Sequence, residues 1–529
     1  MARGIAVIDA ETDPFKKGRI TIKPFVWGYY NGSEYHQFTT TADLVEFIQD
    51  RDEIIYAHNG GKFDFHLGLL EYIEPYGELM IINGRISKMS IGACELRDSW
   101  NIIPVKLADY KKDEVDYAIF EETERHKWHN WETITKYLKS DCVYLFELID
   151  RFVAEYGMHL TQAGASMKQW EKISPLPVPR TDADFYNQFA PYYYGGRVEC
   201  FERGILDVDF DVVDINSAYP DAMLRQHPYS PNFSTYRGYK PNADFYRLRC
   251  VSRGAFPFRG HGGTLSFPTD GERREYTITG WELQAAIDTK SISEVEYIES
   301  IIFCSHVDFS EYILKNYNLR LAATEAGDLA GRLLYKLAMN SLYGKFAANP
   351  ENYKEYMVVP MEEAAGIAGI GWQFGGELGP WALAEAPISE ERQRYYNVAT
   401  GASITGFVRA KLWRAIHGSG RVLYCDTDSL AVVGPGDDII IGDKLGQWKN
   451  EGAFDRAGIA GKKLYIFRGV FDKEKGERNY KTAAKGVRLT NSQLWRVASG
   501  KEVFASNLAP TFSVHKSPHI ISRRINLTA

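Results

Sequence analysis

Residues 174–182, SPLPVPRTD, place three prolines in nine positions. Proline fixes φ and removes a backbone donor, so such a run cannot form a helix interior or a central strand. A chain of 529 residues also exceeds what one hydrophobic core organises, and roughly two to four folding units are expected. The proline run is therefore read as part of a linker, 171–190, between an N-terminal unit, 1–170, and a larger C-terminal unit, 191–529.

Hydrophobic patterning gives each unit a character. In the first, IAVIDAE and EIIYAHN read as strands, DLVEFIQD as a helix, and TITKYLKSDCVYLFELIDRFVAEYG as a long amphipathic helix, so the unit is mixed α/β. In the second, DVVDINSAYP reads as a strand ending in a turn, and VLYCDTDSLAVV as a β-hairpin with acids at its tip. Residues 308–347 read as two helices in a hairpin, with Asp308 and Glu311 as a capping box and Gly327 at the turn. The whole is an α/β and α+β multidomain chain.

No apolar run approaches the roughly 18 residues that cross a bilayer, and MARGIAVIDAETD enters a strand pattern at once, so neither a membrane span nor a signal peptide is expected. The six cysteines are scattered without C-x-x-C pairs, and reduced thiols with no zinc or iron–sulfur site are expected. The net charge of −7 is unevenly placed: residues 461–529 carry 14 Lys+Arg against 4 Asp+Glu, a net of +10. A basic end on an acidic body suits a protein that binds a polyanion and gathers carboxylates around metal ions, although an ordinary protein with a basic tail would look the same.

The carboxylates themselves say more. Two divalent ions roughly 3.5–4 Å apart hold the attacking and leaving oxygens in phosphoryl transfer, and they need acids from neighbouring elements. Asp214 at a strand end, with Asp426 and Asp428 in D-T-D, suits this, the i, i+2 spacing placing both side chains on one strand face. A lone D-x-D is most often a solvated turn. A second set lies near the N-terminus: Asp9 and Glu11 two apart on a strand, Asp64 in AHNGGKFDF, and Asp141 four residues after Tyr137 on one helical face. Four acids and a phenol from separate elements suit hydrolysis of a phosphodiester.

DINSAYP, KLAMNSLYG and YCDTDS occur in that order at domain-scale separation, with YYGG at Tyr193–Gly196 and KLY at Lys463–Tyr465. This set is similar to the motifs of family B DNA polymerases, and it most closely resembles the protein-primed subgroup of bacteriophages with linear genomes, of tectivirus type. The N-terminal set resembles the DEDDy proofreading exonucleases. The resemblance implies a ribonuclease H-like exonuclease domain followed by a right-hand polymerase: palm 191–255 and 395–486, fingers 308–347 and thumb about 487–529. Two insertions characteristic of protein priming are expected at about 256–305 and 350–394.

The resemblance also implies roles. Asp214, Asp428 and Asp426 are matched to the polymerising metal site, and Asp9, Glu11, Asp64 and Asp141 to the editing one, each with two Mg²⁺ (or Mn²⁺) ions. Tyr137 orients water and Lys106, in PVKLA, assists hydrolysis. Lys336, Arg332 and Arg320 meet the triphosphate, Tyr219 excludes the ribose 2′-hydroxyl, and Tyr343 supports the nascent base pair. Thr12, Asn59, Phe63 and Ser99 grip a frayed 3′ end. Tyr193, Gly195 and Gly196 of YYGG, with Lys463, Tyr465 and Lys485, contact DNA.

The implied partners are primer-template and single-stranded DNA, dNTPs, and a separate terminal protein supplying a hydroxyl primer. The implied state is a monomer or a heterodimer with that protein, in the cytoplasm of a bacterial host. Two alternatives stand beside this reading: a family B polymerase extending only nucleic-acid primers, and a catalytically silent DNA-binding replication scaffold.

Overall fold

The structure, a computed structural model, describes residues 3–16, 18–260, 262–471 and 478–527. In the N-terminal unit, Gly4–Thr12 pairs antiparallel with Pro24–Tyr30 and parallel with Glu53–Ala57, which continues in parallel to Cys94–Asp98. Parallel strands need both faces covered. One face lies under the helix Thr41–Ile48 and the turns around Phe65–Leu70, and the other under the long helix Trp128–Tyr156. That helix buries Ile134, Leu138, Cys142, Leu145, Ile149 and Phe152 at three- and four-residue intervals. Each such large side chain contributes roughly 1.5–3 kcal/mol when fully buried. Gly157, at φ 84°, ends it.

This sheet does not stop at the edge of the unit. Three strands from the expected second insertion, Lys354–Pro360, Trp381–Pro387 and Gln373–Leu378, extend it to ten, through pairing of Tyr356 with Leu79 and Met357 with Glu78. Val358, Leu378 and Leu383 share a core with Leu70 and Leu79, and Phe512 and Val514 from the C-terminal segment enter the same core. Parts of the chain more than 400 residues apart thus close on one another.

The central sheet of the C-terminal unit is antiparallel and of eight strands. Trp448–Gly461, Phe210–Ile215, Ser429–Val433 and Arg421–Asp426 lie side by side in its middle, with the buried helix Val398–Gly418 packed on elements beside it. A separate four-stranded sheet stands apart. No helix among the described residues is long and apolar enough to cross a membrane, and the six cysteines are free.

Three expectations are corrected. The helix Gln162–Ile173 runs through the boundary placed at 170, and its Met167 and Trp170 lie in a core with Val213, Ile215 and Phe309, so it belongs with the second unit. The four-stranded sheet recruits Phe233–Arg237 and Phe245–Ser252, which had been assigned to the palm, because these pair with Ile292–Phe303. The capping box at Asp308 does not form. Phe309 holds the N-cap position of Ser310–Glu325, and the Asp308 carboxylate accepts from Gln226 at 2.8 Å and from the Ser310 N–H at 3.0 Å. Gly327, at φ 69°, makes the turn, and Asp328 caps Leu329–Phe346 by accepting from the Gly331 N–H.

Two candidate active sites

The first site forms where the Asp9 strand meets the long helix. Asp9 and Glu11 point the same way from Gly4–Thr12, and Asp141 faces them from the helix. Ligand oxygens of these three all lie within 4.8 Å of one another. Asp64, buried in the turn Asp64–His66, is outside that tight group, yet its charge acts on both Asp9 and Glu11. Burial first, and the neighbouring carboxylates second, hold Asp9 and Glu11 well above the usual carboxylate range. Four crowded acids of this kind, with the buried Asp141 Oδ1 lacking a hydrogen-bond partner among the described residues, fit divalent cations, which would supply the missing positive charge.

The glycines of AHNGGKFDF set the geometry of this turn. A Cβ on Gly61 would stand 1.9 Å from the Ile86 carbonyl oxygen, so only glycine admits the close approach. Arg85 donates to the Asn59 side chain at 2.7 Å and to the buried Asp98 at 2.6 Å, and Asp98 also accepts from the Gly61 N–H. Phe63 sits edge-on to Phe15 and Phe512, while Thr12 ends the Asp9 strand at a bulge. Asp98 was missed in the sequence because the acid before Ser99 carries no spacing signal.

Two assignments change. Ser99 is wholly buried, with Oγ 2.9 Å from His58 Nδ1 and its neighbour Val105 binding the other ring nitrogen, so it supports the wall and offers no surface to a strand. Lys106 is exposed; the lysine whose charge reaches Glu11 and Asp141 is Lys112. Lys112 donates to the Tyr117 hydroxyl at 2.7 Å, which lies 3.2 Å from the Tyr137 hydroxyl, and its ammonium stands 5.8 Å from the Tyr137 ring centre. The loop 102–120 has no apolar period to align on, which is why the nearer lysine could not be chosen from spacing.

The second site lies on the central sheet. Asp214 pairs across the strands with Ser429 and Lys449, and the Ile215 N–H donates to the Asp428 carbonyl at 2.9 Å. Asp214 and the hairpin tip are therefore adjacent. The D-T-D tip is not a strand face: Asp426 ends its strand, Thr427 has φ 62°, and Asp428 lies in the turn. The two acids diverge accordingly. Asp426 accepts from the Lys463 ammonium at 2.7 and 2.8 Å. Asp428 is pushed up to about 7 by burial and then by the Asp214 charge.

Asp214 is pushed up to about 6 by burial and then by Glu451, against the pull of Lys481, Lys336 and Lys449. Glu451 was not a sequence candidate. It is the extra residue of a β-bulge, where Val212 faces Gly452 and Val213 faces Asn450. A bulge re-aims a side chain, and Glu451 forms an ion pair with Lys481.

Around these acids, Tyr219 and Tyr343 stack with ring centres 4.2 Å apart and planes 10° apart. Lys336 and Arg332 lie exposed on Leu329–Phe346, and Arg332 is close enough for its charge to act on half-buried Arg320 of the other helix. The YYGG loop touches the hairpin tip: a Cβ on Gly196 would meet the Thr427 side chain at 2.7 Å, and the Thr427 N–H donates to the Arg197 carbonyl at 2.7 Å. The buried ion pair of Arg409 with Glu282 fixes the loop, Arg409 donating to the carbonyls of Tyr194 and Gly195, and Arg259 to that of Tyr193. Breaking such a pair costs about 3–5 kcal/mol. Tyr465 is buried against Phe467 and Tyr424, and Lys485 is exposed beside the Lys463 carbonyl.

Comparison with known proteins places the chain in a family and a fold. Residues 109–369 match the family model of DNA polymerase type B, organellar and viral. The chain is 39% identical to the DNA-directed DNA polymerase of Enterobacteria phage PRD1 over 496 residues, 92% of this chain and 86% of that one. It is 27% identical to the DNA polymerase of Bacillus phage phi29 over 48% of this chain and 44% of the other. The solved structure of phi29 DNA polymerase complexed with primer-template DNA and incoming nucleotides superposes with a TM-score of 0.76 over the full length of both chains, at 19% identity. The fold is thus an exonuclease domain followed by palm, fingers and thumb. The chain belongs to the family B DNA polymerases of phage type. Its activity is that of a DNA-directed DNA polymerase, related to the enzymes of phages PRD1 and phi29.

Proposed function

We propose that this polymerase replicates a linear viral genome from a terminal-protein primer in the cytoplasm of a bacterial host, adding nucleotides at Asp214 and Asp428 and editing at Asp9, Glu11, Asp64 and Asp141. The observation that carries the two-site reading is the pair of separate acidic clusters, each drawn from strands and turns far apart in the chain. Each would hold two Mg²⁺ (or Mn²⁺) ions. Bound there, the ions would align attacking and leaving oxygens and stabilise the developing charge.

The protein's own groups then divide the work. Lys336, with Arg332 and Arg320, gives the triphosphate a cationic wall on the fingers hairpin. The Tyr219–Tyr343 stack forms a flat floor under the incoming nucleotide, where a ribose 2′-hydroxyl would meet the Tyr219 ring. Lys463 has a double part: it neutralises Asp426 in the free protein, and it stands with Tyr465 and Lys485 where the primer-template would lie. At the editing site Phe63 offers a stacking face to an unpaired base, Asn59 and Thr12 line the approach, and Tyr137 with Lys112 orients the attacking water. The Tyr193–Gly196 loop, set against the hairpin tip at Thr427, contacts DNA beside the polymerising site.

Protein priming rests on the relationship to the phage enzymes and on the second insertion, whose strands complete the ten-stranded sheet and leave it joined to both exonuclease and thumb. The test is direct: purified enzyme, a candidate terminal protein and one labelled dNTP. Label bound covalently to protein supports priming; label incorporated only into oligonucleotide primers would leave a nucleic-acid-primed polymerase.

A further inference from the structure

Behind the editing carboxylates lies a hydroxyl with nothing to bind. Tyr35 begins the strand Tyr35–Phe38, which pairs with Pro24–Tyr30, and there Gly28 is the cross-strand partner of Asp9. Gly28 has no side chain, and its place is taken by others: a Cβ there would lie 3.2 Å from Tyr35 Oη, 2.9 Å from Cys142 Sγ and 3.1 Å from Leu138 Cγ. The Tyr35 hydroxyl therefore rests over Gly28, on the side of the sheet covered by the long helix, next to the residue facing Asp9. Side chains on directly paired strand residues have Cβ atoms roughly 4.5–5.5 Å apart. The Oη atom is buried and, among the described residues, has no hydrogen-bond partner. The charges of Asp9 and Glu11 both act on it, after burial and Cys142.

A buried hydroxyl without a partner is unusual, because phenylalanine fills the same space without a desolvated donor. The same cluster contains the opposite defect, the orphaned acceptor Asp141 Oδ1. A lone donor beside a crowd of acids, one of which carries an unpartnered oxygen, fits a site completed by cations. Carboxylates that ligate metals are themselves hydrogen-bonded, and losing that outer partner typically weakens metal binding about 10–100-fold.

We propose that Tyr35 is a positioning residue of the editing site: once divalent ions are bound, its hydroxyl, unpartnered in the metal-free structure, donates to the Asp9 carboxylate and holds it in the orientation that keeps the ion. This rests on the editing reading above. It assigns to the strand Tyr35–Phe38, which supplies none of the acids, a part in setting the metal requirement of degradation but not of synthesis.

The test uses the full chain carrying Tyr35→Phe. The Mg²⁺ concentration for half-maximal 3′ degradation should rise on the order of 10-fold, with the rate recovering at saturating Mg²⁺, while primer extension keeps its original Mg²⁺ dependence. Direct Mn²⁺ binding by electron paramagnetic resonance, in an Asp428→Asn background that silences the polymerising cluster, should weaken by the same factor. The metal-free melting temperature should not fall, since only an unpartnered hydroxyl is removed. Unchanged Mg²⁺ dependence and Mn²⁺ binding would overturn the proposal. So would a lowered melting temperature with degradation reduced equally at every Mg²⁺ concentration, the signature of packing alone. If the parent protein left 3′ ends intact, the editing reading would fall, and the Mn²⁺ measurement would still decide the part played by Tyr35.

Discussion

The editing and polymerising clusters contain similar numbers of carboxylates but handle their charge in opposite ways. Around Asp9, Glu11, Asp64 and Asp141, Lys112 is the cation that acts most on Glu11 and Asp141 among the described residues, and ligand oxygens of three acids crowd within 4.8 Å. Around Asp214, Asp426, Asp428 and Glu451, lysines are interleaved: Lys463 on Asp426, Lys481 on Glu451, with Lys336 and Lys449 acting on Asp214. On the proposed function, the difference follows from what each site would receive. An incoming nucleotide brings its own phosphates, and Mg²⁺ is commonly held by one or two carboxylates together with substrate phosphates. A polymerising site therefore need not hold its ions tightly when empty, and its lysines serve an anionic ligand. A strand end would bring only its scissile phosphate, so an editing site would rely more on its own acids to gather its ions.

The largest expected effects would break the comparison outright. Asp428→Asn should lower primer extension by a factor on the order of 10³ or more while 3′ degradation stays within about twofold, and Asp9→Ala should do the reverse, each removing a metal ligand from one cluster. If either substitution silenced both activities, the clusters would not be independent. Next in size, Lys112→Ala should lower degradation on the order of 10²-fold, whereas Lys106→Ala should leave it nearly unchanged. Measured on one single-stranded substrate, an equal loss in both variants would return the assignment to Lys106.

A third expectation concerns pH in the absence of metal. Glu11 is pushed up to about 8 and Asp64 to about 7 by burial in the folded protein, above the roughly 4 of an unfolded carboxylate. At these two groups the folded state binds more protons than the unfolded one, so their contribution to stability is fully present below about pH 4 and is lost as pH rises through 8. The melting temperature of the metal-free protein should fall between pH 5 and pH 9. Asp9→Asn should flatten that decline more than Asp428→Asn, and Mg²⁺ should restore more stability through the editing cluster. A steeper contribution from Asp428 would reverse the contrast drawn here.

The smallest effect sharpens it. Glu451→Gln removes the largest charge that raises Asp214, so the acid limb of the pH profile for synthesis should move to lower pH, and the profile for degradation should not move.

Much of this was legible before any coordinates. Asp9 and Glu11 share a strand face because side chains alternate with a period of two, and Tyr137 and Asp141 share a helix face because four residues make about one turn. Where regular geometry carried the inference, it held. Where it was applied to an irregular segment, it did not: Asp426 and Asp428 straddle a turn with Thr427 at φ 62°, and one acid meets Lys463 while the other meets Asp214. The helix Gln162–Ile173 has a clear amphipathic pattern, yet nothing in that pattern says which unit its apolar face will join.

Covalent geometry and the order of the acidic motifs along the chain were enough to point to the family and to nominate its carboxylates, since short-range periodicity is a property of the backbone. Favouring Lys112 over Lys106, burying Ser99, aiming Glu451 from a bulge and stranding the Tyr35 hydroxyl over Gly28 all depended on which distant segments pack together. Such contacts follow from the filling of space and the burial of charge across the whole molecule, and these leave no period in the amino-acid order.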